Sequence, residues 1–324
     1  MKIGLYSITY RGVWYKGPAA GIFDLVRLAK KQGWEGLELD TERPHAAPMD
    51  LSADDRKRLR DLAGELELPL CAISPSCDLS SPVPIQREAM ICYTRECIKL
   101  ARDVGAPIVK IFAAWRGITL YDGLGTYDDT YGYNQYGFWK GDRRPFVVES
   151  LSEVCKFAGD HGVVLALQNH GPDVVNSYRD VLSLISEVGS PVLKGCMDIN
   201  IEPEADSAER ARAMAAASGP LQVHSHCNGE FARRADGEVE LVAGGYFDQG
   251  FWGRKVAYPA YLDALVASGY KGYINWEYCH PAMENGRPAG IDYVRDQTHM
   301  ALEYLRTLRE IAVQRAPASA CVPQ

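Results

Sequence analysis

Four apolar segments in the second half of the chain end in side chains that could bind a metal ion or move a proton. In chain order these are Gln168 and His170, Asp198, His224 and His226, and Glu277. Side chains of a strand alternate between its two faces, so His224 and His226 share one face. Carboxylate, imidazole and amide oxygen ligands without a thiolate suit a hard or borderline divalent ion such as Mn²⁺ or Mg²⁺. We therefore predict a metal site, although each residue also has a structural alternative as a helix cap or a hydrogen-bonded core group.

The elements that must position these residues are short strands alternating with helices. Predicted strands cover residues 3–9, 36–40, 70–74, 107–113, 163–169, 193–199, 221–226 and 273–278, and predicted helices cover 23–32, 52–66, 85–104, 147–161, 178–188, 208–217, 259–268 and 293–312. Eight such units predict an α/β fold of one (β/α)₈ TIM barrel over residues 1–314. A doubly wound open sheet is the alternative, disfavoured because no Gly-x-Gly-x-x-Gly follows the first strand. Residues 315–324 are predicted to be a disordered tail.

Two connections, 114–144 after the fourth strand and 228–255 after the seventh, are long and rich in aromatic residues. The aromatic residues are Trp115, Tyr121, Tyr127, Tyr131, Tyr133, Tyr136, Phe138 and Trp139 in the first, and Phe231, Tyr246, Phe247, Phe251 and Trp252 in the second. Both connections would lie at the carboxyl ends of the strands, where barrel active sites are built. Long loops are usually functional or disordered, and aromatic content argues against disorder. They are predicted to contact substrate, or alternatively to pack as a lid or an oligomer contact.

Composition limits the partners of this chain. Its 324 residues are 47% hydrophobic and 24% charged, with a formal net charge of −7. An acidic balance argues against nucleic acid or an anionic membrane surface as partner, and no segment is long and apolar enough to span a bilayer. The sequence opens directly on a strand pattern, and its nine cysteines form no Cys-x-x-Cys pair. We therefore expect a small-molecule substrate and a cytoplasmic protein.

The strand-end residues resemble those of the xylose-isomerase-like TIM barrels, the sugar phosphate isomerase/epimerase family. In that family a divalent ion is held by Glu, Asp, His and Glu from strands five to eight, which implies Gln168, Asp198, His226 and Glu277 as ligands here. His226 is preferred to His224 because His-Cys-Asn-Gly-Glu resembles the family's turns after the seventh strand. Asn200-Ile201-Glu202 likewise resembles a segment of ketose epimerases. The chain departs from the pattern at Gln168, since an amide can give its oxygen to a metal but cannot accept a proton.

The resemblance implies proton transfer beside a sugar carbonyl. Ketose 3-epimerases of this fold use two opposed carboxylates, of which one is replaced by Gln168. The remaining candidates for the catalytic base are Glu277 and His170. His170 has a structural alternative as a cap. Candidate substrate-binding residues are Glu38 (with Asp40 beside it), Trp115, His224 and Arg233.

Three functions are compatible with these features. The leading hypothesis is a metal-dependent lyase that cleaves a 3-oxo-glycoside, because the site resembles that of C-glycoside deglycosidase α subunits, which work beside a small β subunit. The second is a sugar or keto-sugar isomerase or epimerase. The third is an inactive sugar-binding or scaffold subunit, with Gln168 marking the loss of a catalytic group. A DNA repair enzyme resembling endonuclease IV is disfavoured by the net negative charge and only seven histidines. A homo-oligomer remains an alternative to the small second subunit.

Overall fold

Eight parallel strands close into a barrel. The computed structural model describes residues 1–127, 139, 141–171, 174–242 and 256–316. The barrel strands are β1 (Lys2–Tyr6), β2 (Leu37–Asp40), β3 (Leu70–Ser74), β4 (Ile108–Ile111), β5 (Val164–Gln168), β6 (Leu193–Asp198), β7 (Gln222–Cys227) and β8 (Tyr273–Trp276). Each strand pairs with the next along the chain and β8 pairs with β1. The predicted single (β/α)₈ TIM barrel is therefore confirmed.

Eight helices of the described residues surround the barrel. They are α1 (Ile22–Gln32), α2 (Ala53–Glu65), α3 (Pro84–Val104), α4 (Arg144–Asp160), α5 (Tyr178–Val188), α6 (Ala208–Ser218), α7 (Tyr258–Ala267) and α8 (Ile291–Arg315). Ser52 caps α2 in a capping box with Asp55, as the Ser-x-x-Asp pattern indicates. Gly33 ends α1 with a φ of 90°, a left-handed conformation that favours glycine. Among the described helices, none combines the length and the apolar character needed to cross a bilayer.

The inner face of the barrel changes from apolar to polar along the strands. Ala72, Ile108, Ala166 and Cys196 form a small buried cluster in the barrel. Two residues further along the same four strands stand Ser74, Lys110, Gln168 and Asp198. Because strand side chains alternate, these polar residues share the inner face with the apolar cluster. The larger hydrophobic core, which includes Leu165, Val181 and Leu193, packs the helices onto the outside of the strands.

The first strand is shorter than the predicted segment 3–9. It ends at Tyr6, and Ser7–Tyr10 forms a 3₁₀ turn. In this turn Ser7 Oγ accepts a hydrogen bond from the backbone N–H of Asp40 at 2.7 Å, and Thr9 Oγ1 accepts one from that of Tyr278 at 3.0 Å. Side-chain oxygens thus replace ladder hydrogen bonds, which an apolar pattern cannot reveal.

Both long connections contain a β-hairpin. Thr119–Tyr121 pairs with Leu124–Thr126 after β4, and Glu230–Arg233 pairs with Val239–Val242 after β7. The predicted loop aromatics Tyr131, Tyr133, Tyr136, Phe138, Tyr246, Phe247, Phe251 and Trp252 lie outside the described residues. Residues 317–324 of the predicted tail also lie outside them, and α8 continues to Arg315.

Candidate metal and catalytic site

Asp198 ends β6 and is held in place by the residues that end β5. Its backbone N–H donates to Oδ1 of Asn169 at 2.7 Å, and Asn169 Nδ2 donates back to the carbonyl of Asp198 at 2.9 Å. The carboxylate accepts hydrogen bonds from Gln168 Nε2 at 3.1 Å and from the backbone N–H of Asn200 at 3.0 Å. Since Asp198 is only 1% exposed, these contacts fix the direction of its carboxylate into the barrel.

Glu202 holds Asn169 in place through a network of hydrogen bonds. It accepts hydrogen bonds from Asn169 Nδ2 at 3.0 Å and from the backbone N–H of Tyr178, at the start of α5, at 2.9 Å. Arg210 on α6 donates to its other oxygen at 2.7 Å. Asn169 and Glu202 thereby join β5, β6 and two helices. Sequence reasoning noted Glu202 only through a resemblance and gave Asn169 no role.

His226 on β7 contacts carboxylates through both ring nitrogens. Its Nε2 lies 2.9 Å from Oε2 of Glu38, and its Nδ1 lies 3.5 Å from Oε2 of Glu277. A carboxylate oxygen can only accept, so Nε2 carries the proton of the Glu38 hydrogen bond. In the neutral ring Nδ1 then presents a lone pair towards Asp198 and Glu277, as a metal-ligating histidine with a carboxylate partner does.

Glu38 lies beneath the site and forms what we call the floor cluster, defined as Glu38, Ser74, His224 and Asn275. Glu38 accepts hydrogen bonds from His224 Nε2 at 2.8 Å, from Asn275 Nδ2 at 2.6 Å and from the Ser74 hydroxyl. Both Glu38 and His224 are 0% exposed. We therefore correct the expectation that these two residues bind substrate, because their polar groups face each other and are sealed from solvent.

The four strand-end residues assigned as ligands come together. We call Gln168, Asp198, His226 and Glu277 the cavity cluster. Ligand atoms of Asp198, His226 and Glu277 lie within 4.8 Å of one another. Oε1 of Gln168 is buried and makes no hydrogen bond within the described part of the chain. An unsatisfied buried carbonyl oxygen beside two carboxylates and an imidazole fits a divalent cation.

A second group of potential ligands, Glu38 with His224 and His226, also lies within 4.8 Å. It is a weaker candidate, since Glu38 already accepts the hydrogen bonds of the floor cluster. His226 belongs to both groups, with Nε2 directed to one and Nδ1 to the other.

The cavity cluster carries excess negative charge. Burial and the neighbouring Glu277 raise the pKa of Asp198 to about 7. Burial alone would lower the pKa of His226, but Glu38 and Glu277 raise it to about 10. Both pKa values are raised because carboxylates removed from water attract a positive charge, which can be a proton or a metal ion.

A cavity opens above the cluster. Its polar lining includes Lys110, Gln168, His170, Asp198 and Glu277, and its aromatic lining includes Tyr6, Phe112, Trp115 and Tyr127. Trp115 therefore stands in the wall, where the sequence predicted a surface for substrate. The Asp40 carboxylate, 2% exposed, contacts Arg11 at 3.3 Å instead of opening to the cavity.

The tautomer of His170 is set by a backbone contact. Its Nδ1 lies 3.0 Å from the carbonyl oxygen of Gly171, which can only accept, so Nδ1 carries the ring proton and Nε2 the lone pair. The ring packs on Trp115 and Phe112, with centroids 4.2 and 5.0 Å away. Burial lowers the pKa of His170 to about 4. The imidazole is therefore neutral at physiological pH.

Arg233 is not brought to this site. It lies on the hairpin after β7, where its guanidinium forms an ion pair with Glu303 of α8 at 2.8 Å and donates to the carbonyl of Gly237 at 2.6 Å. Its side chain is 45% exposed. We therefore remove Arg233 from the substrate-binding set, because its charge is already paired on the outer surface.

The family is settled by comparison with known proteins. A family model described as "Xylose isomerase-like TIM barrel" matches residues 26–301. The chain belongs to this family. The resemblance stated from the strand-end residues is thus confirmed.

Three epimerases to which this chain is similar share less than 30% sequence identity with it. A fructoselysine 3-epimerase from Shigella flexneri is 26% identical over 208 residues, which cover 61% of this chain and 66% of the relative. A crystal structure of a D-psicose 3-epimerase with D-fructose superposes with a TM-score of 0.70 at 17% identity, covering 95% of this chain and 99% of that one. An E. coli 3-keto-D-glucoside 4-epimerase gives a TM-score of 0.65 at 18% identity, with the same coverage. The structural matches establish the shared fold.

Proposed function

We propose that this protein is a divalent-metal-dependent sugar isomerase or epimerase that moves a proton at the carbon beside a sugar carbonyl. The observation that carries the proposal is the cavity cluster, in which two carboxylates, an imidazole and an unsatisfied amide oxygen meet at the inner end of the cavity. The epimerase relatives add weight. Asp198, His226, Glu277 and Gln168 would hold the ion, for which we favour Mn²⁺ or Mg²⁺.

A metal ion bound by these residues would polarise the substrate carbonyl and stabilise the negative charge of an enediolate. The chain itself must supply the groups that remove and return the proton. Glu277 follows β8 and His170 follows β5, with β6 and β7 between those strands in the barrel. The two groups therefore flank the cluster from different sides of the cavity.

His170 takes the role that Gln168 cannot fill. A two-base epimerisation needs a proton acceptor on each face of the substrate, and the amide of Gln168 has none to offer. His170 stands two residues later and presents the lone pair of Nε2 within the same cavity. We propose that His170 and Glu277 form the acid/base pair, with Trp115 and Phe112 as an apolar wall against one face of the sugar.

The lyase hypothesis that the sequence favoured becomes the second candidate. The reported relatives carry epimerase names, and the described residues offer no group that favours bond cleavage over proton return. The loss of the β5 carboxylate, which suggested a lyase, has a simpler explanation in the position of His170.

Proton exchange tests the proposal directly. The purified protein is incubated in D₂O with Mn²⁺ or Mg²⁺ and D-fructose, D-psicose or D-tagatose, and NMR follows deuterium at the carbons beside the carbonyl. We expect deuterium incorporation and formation of an isomer. Absence of exchange with every ketose, together with aglycone release from a 3-oxo-glucoside, would instead establish the lyase.

His170→Gln tests the acid/base pair. We expect its exchange rate to fall about 10²- to 10⁴-fold, the usual contribution of a general base. His161→Gln is the matched control, because His161 packs on Phe157 at the end of α4, with its Nδ1 2.8 Å from that residue's carbonyl oxygen. Adding Gln168→Glu to His170→Gln should restore part of the lost rate by returning a proton acceptor to β5. Equal rates in the wild type and His170→Gln would remove His170 from the mechanism.

A further inference from the structure

Lys110 is a buried cation that sequence reasoning overlooked. It stands in β4 on the inner face of the barrel and is 1% exposed. Its Nζ lies 3.8 Å from the ring centroid of Phe112 and 5.3 Å from that of Tyr6. No described residue forms a hydrogen bond or an ion pair with it. The only signal in the sequence is one lysine inside the apolar segment 107–113.

Such a lysine is unusual, because a buried ammonium group normally has a carboxylate partner. Lys110 has three N–H donors, and the described residues offer them aromatic faces but no hydrogen-bond acceptor. The charges of Asp40 and Glu277 interact with the ammonium without forming an ion pair. Cation–π contacts offset part of the desolvation of the ammonium but satisfy none of the donors. The side chain lines the same cavity as Gln168, His170 and Glu277. Its unsatisfied donors therefore face the space in which substrate would react.

We propose that Lys110 donates a hydrogen bond to the substrate oxygen that becomes negative when the proton is removed. This inference rests on the proposed function. As the C–H bond breaks, the proton passes to His170 or Glu277 and its electron pair forms the C=C bond of the enediolate. The carbonyl π pair moves to oxygen, which Lys110 stabilises as a fixed donor in a site removed from water. Return of the proton reverses these movements.

A structural role of Lys110 and a role in binding substrate predict different effects of its removal on the stability of the fold. If Lys110 served only to balance the carboxylates around it, its removal would destabilise the fold. If it instead serves substrate, the desolvation of its charge, which no ion pair with a described residue offsets, weakens the free protein, and an apolar residue of similar length should be tolerated or should stabilise it.

Lys110→Met separates these possibilities, with Lys110→Arg as the charge-conserving variant. The matched control is Lys194→Met, which removes a half-buried lysine from β6 that does not line the cavity. In the Mn²⁺-loaded protein we expect Lys110→Met to lower kcat for ketose exchange about 10²- to 10³-fold, as loss of an oxyanion donor does, with KM changed less than tenfold. Its melting temperature without metal should equal or exceed that of the wild type. A kcat within threefold of the wild type, or a fall in melting temperature that accounts for the lost activity, would overturn the inference.

A binding measurement keeps this test separate from the test of the proposed function. N-Hydroxyglycolamide presents the planar pair of oxygens of an enediolate, and calorimetry measures its affinity for Mn²⁺-loaded protein. We expect Lys110→Met to bind it at least tenfold more weakly than the wild type, while Lys194→Met binds it equally. Wild type that binds this compound but exchanges no ketose would contradict the proposed function alone. Wild type and Lys110→Met that exchange ketoses equally would contradict the Lys110 inference alone.

Discussion

Two neighbouring clusters in the barrel contain the same kinds of residue and share His226, yet they differ in how their polar atoms are satisfied. In the floor cluster, Glu38 accepts hydrogen bonds from His224, Asn275 and Ser74. In the cavity cluster, Oε1 of Gln168 has no hydrogen-bond donor among the described residues, and Asp198 and Glu277 repel each other. Only Nδ1 of His224 lacks a hydrogen-bond partner in the floor cluster, among the described residues, and its single carboxylate is fully supplied with donors. The cavity cluster holds two carboxylates and a free amide oxygen, which a cation would satisfy.

The difference shows that residue type does not assign a role to a buried histidine or carboxylate. The floor cluster orients His226 by fixing the proton on Nε2, and the cavity cluster uses the Nδ1 that is left. One cluster therefore positions a ligand, and the other would bind the ion. Predictions that act on one cluster and spare the other test this division.

Glu277→Gln should have the largest effect, because it removes a ligand charge and a proposed base together. We expect ketose exchange to fall at least 10³-fold, within the range for loss of a general base. Metal content after dialysis, measured by mass spectrometry, should fall as well. An enzyme that keeps both metal and activity would show that the cavity cluster is not the ion site.

His45 is a buried histidine with no carboxylate partner among the described residues. It contacts Ser7 Oγ and the Ala20 carbonyl, each at 3.2 Å, and burial lowers its pKa to about 4 from 6.5. Because the folded pKa is the lower one, the unfolded state binds more protons between pH 6.5 and 4, and stability is lost as the pH falls through that window. We expect the titration of His45 to lower the free energy of unfolding by about 3 kcal/mol when the pH falls from 7.5 to 4.

Urea unfolding of the wild type and His45→Gln at both pH values isolates this contribution. On acidification, the free energy of unfolding should fall by about 3 kcal/mol less in the variant than in the wild type. Parallel losses in the two proteins would show that His45 titrates normally in the fold.

Glu38→Gln should weaken ion binding without removing a ligand. Its amide leaves His226 free to change tautomer, and loss of such a partner usually lowers metal affinity 10- to 100-fold. His224→Gln is the matched control, because it contacts Glu38 but not the ion site; we expect less than a tenfold change. Calorimetric Mn²⁺ titrations measure both. A larger loss in His224→Gln than in Glu38→Gln would place the ion in the floor cluster.

Arg233→Gln should have the smallest effect. Its ion pair with Glu303 is exposed on the outer surface, and such pairs contribute little. We expect unchanged Mn²⁺ affinity and ketose exchange, with a slight change in melting temperature. A clear loss of exchange would return Arg233 to the substrate-binding set.

The barrel and the cavity cluster could be predicted from the sequence, because both follow from local order. Apolar strands alternating with helices indicate the fold, and the carboxyl ends of parallel strands meet on one face. Alternation also placed His224 and His226 on that face, but it could not tell which nitrogen points where. The roles of Glu38 and Lys110 depend on partners far along the chain, since His224 is separated from Glu38 by 186 residues. Arg233 was misassigned because a loop after a barrel strand can fold back onto an outer helix.

The central claim is that one divalent ion binds the cavity cluster through Nδ1 of His226. Anomalous diffraction from a crystal grown with Mn²⁺ tests it most directly. We predict a single manganese peak in contact with His226 Nδ1, Asp198, Glu277 and Oε1 of Gln168, while Glu38 keeps its hydrogen bond to Nε2. A peak between Glu38, His224 and Nε2 of His226, or no peak in the barrel, would contradict the claim.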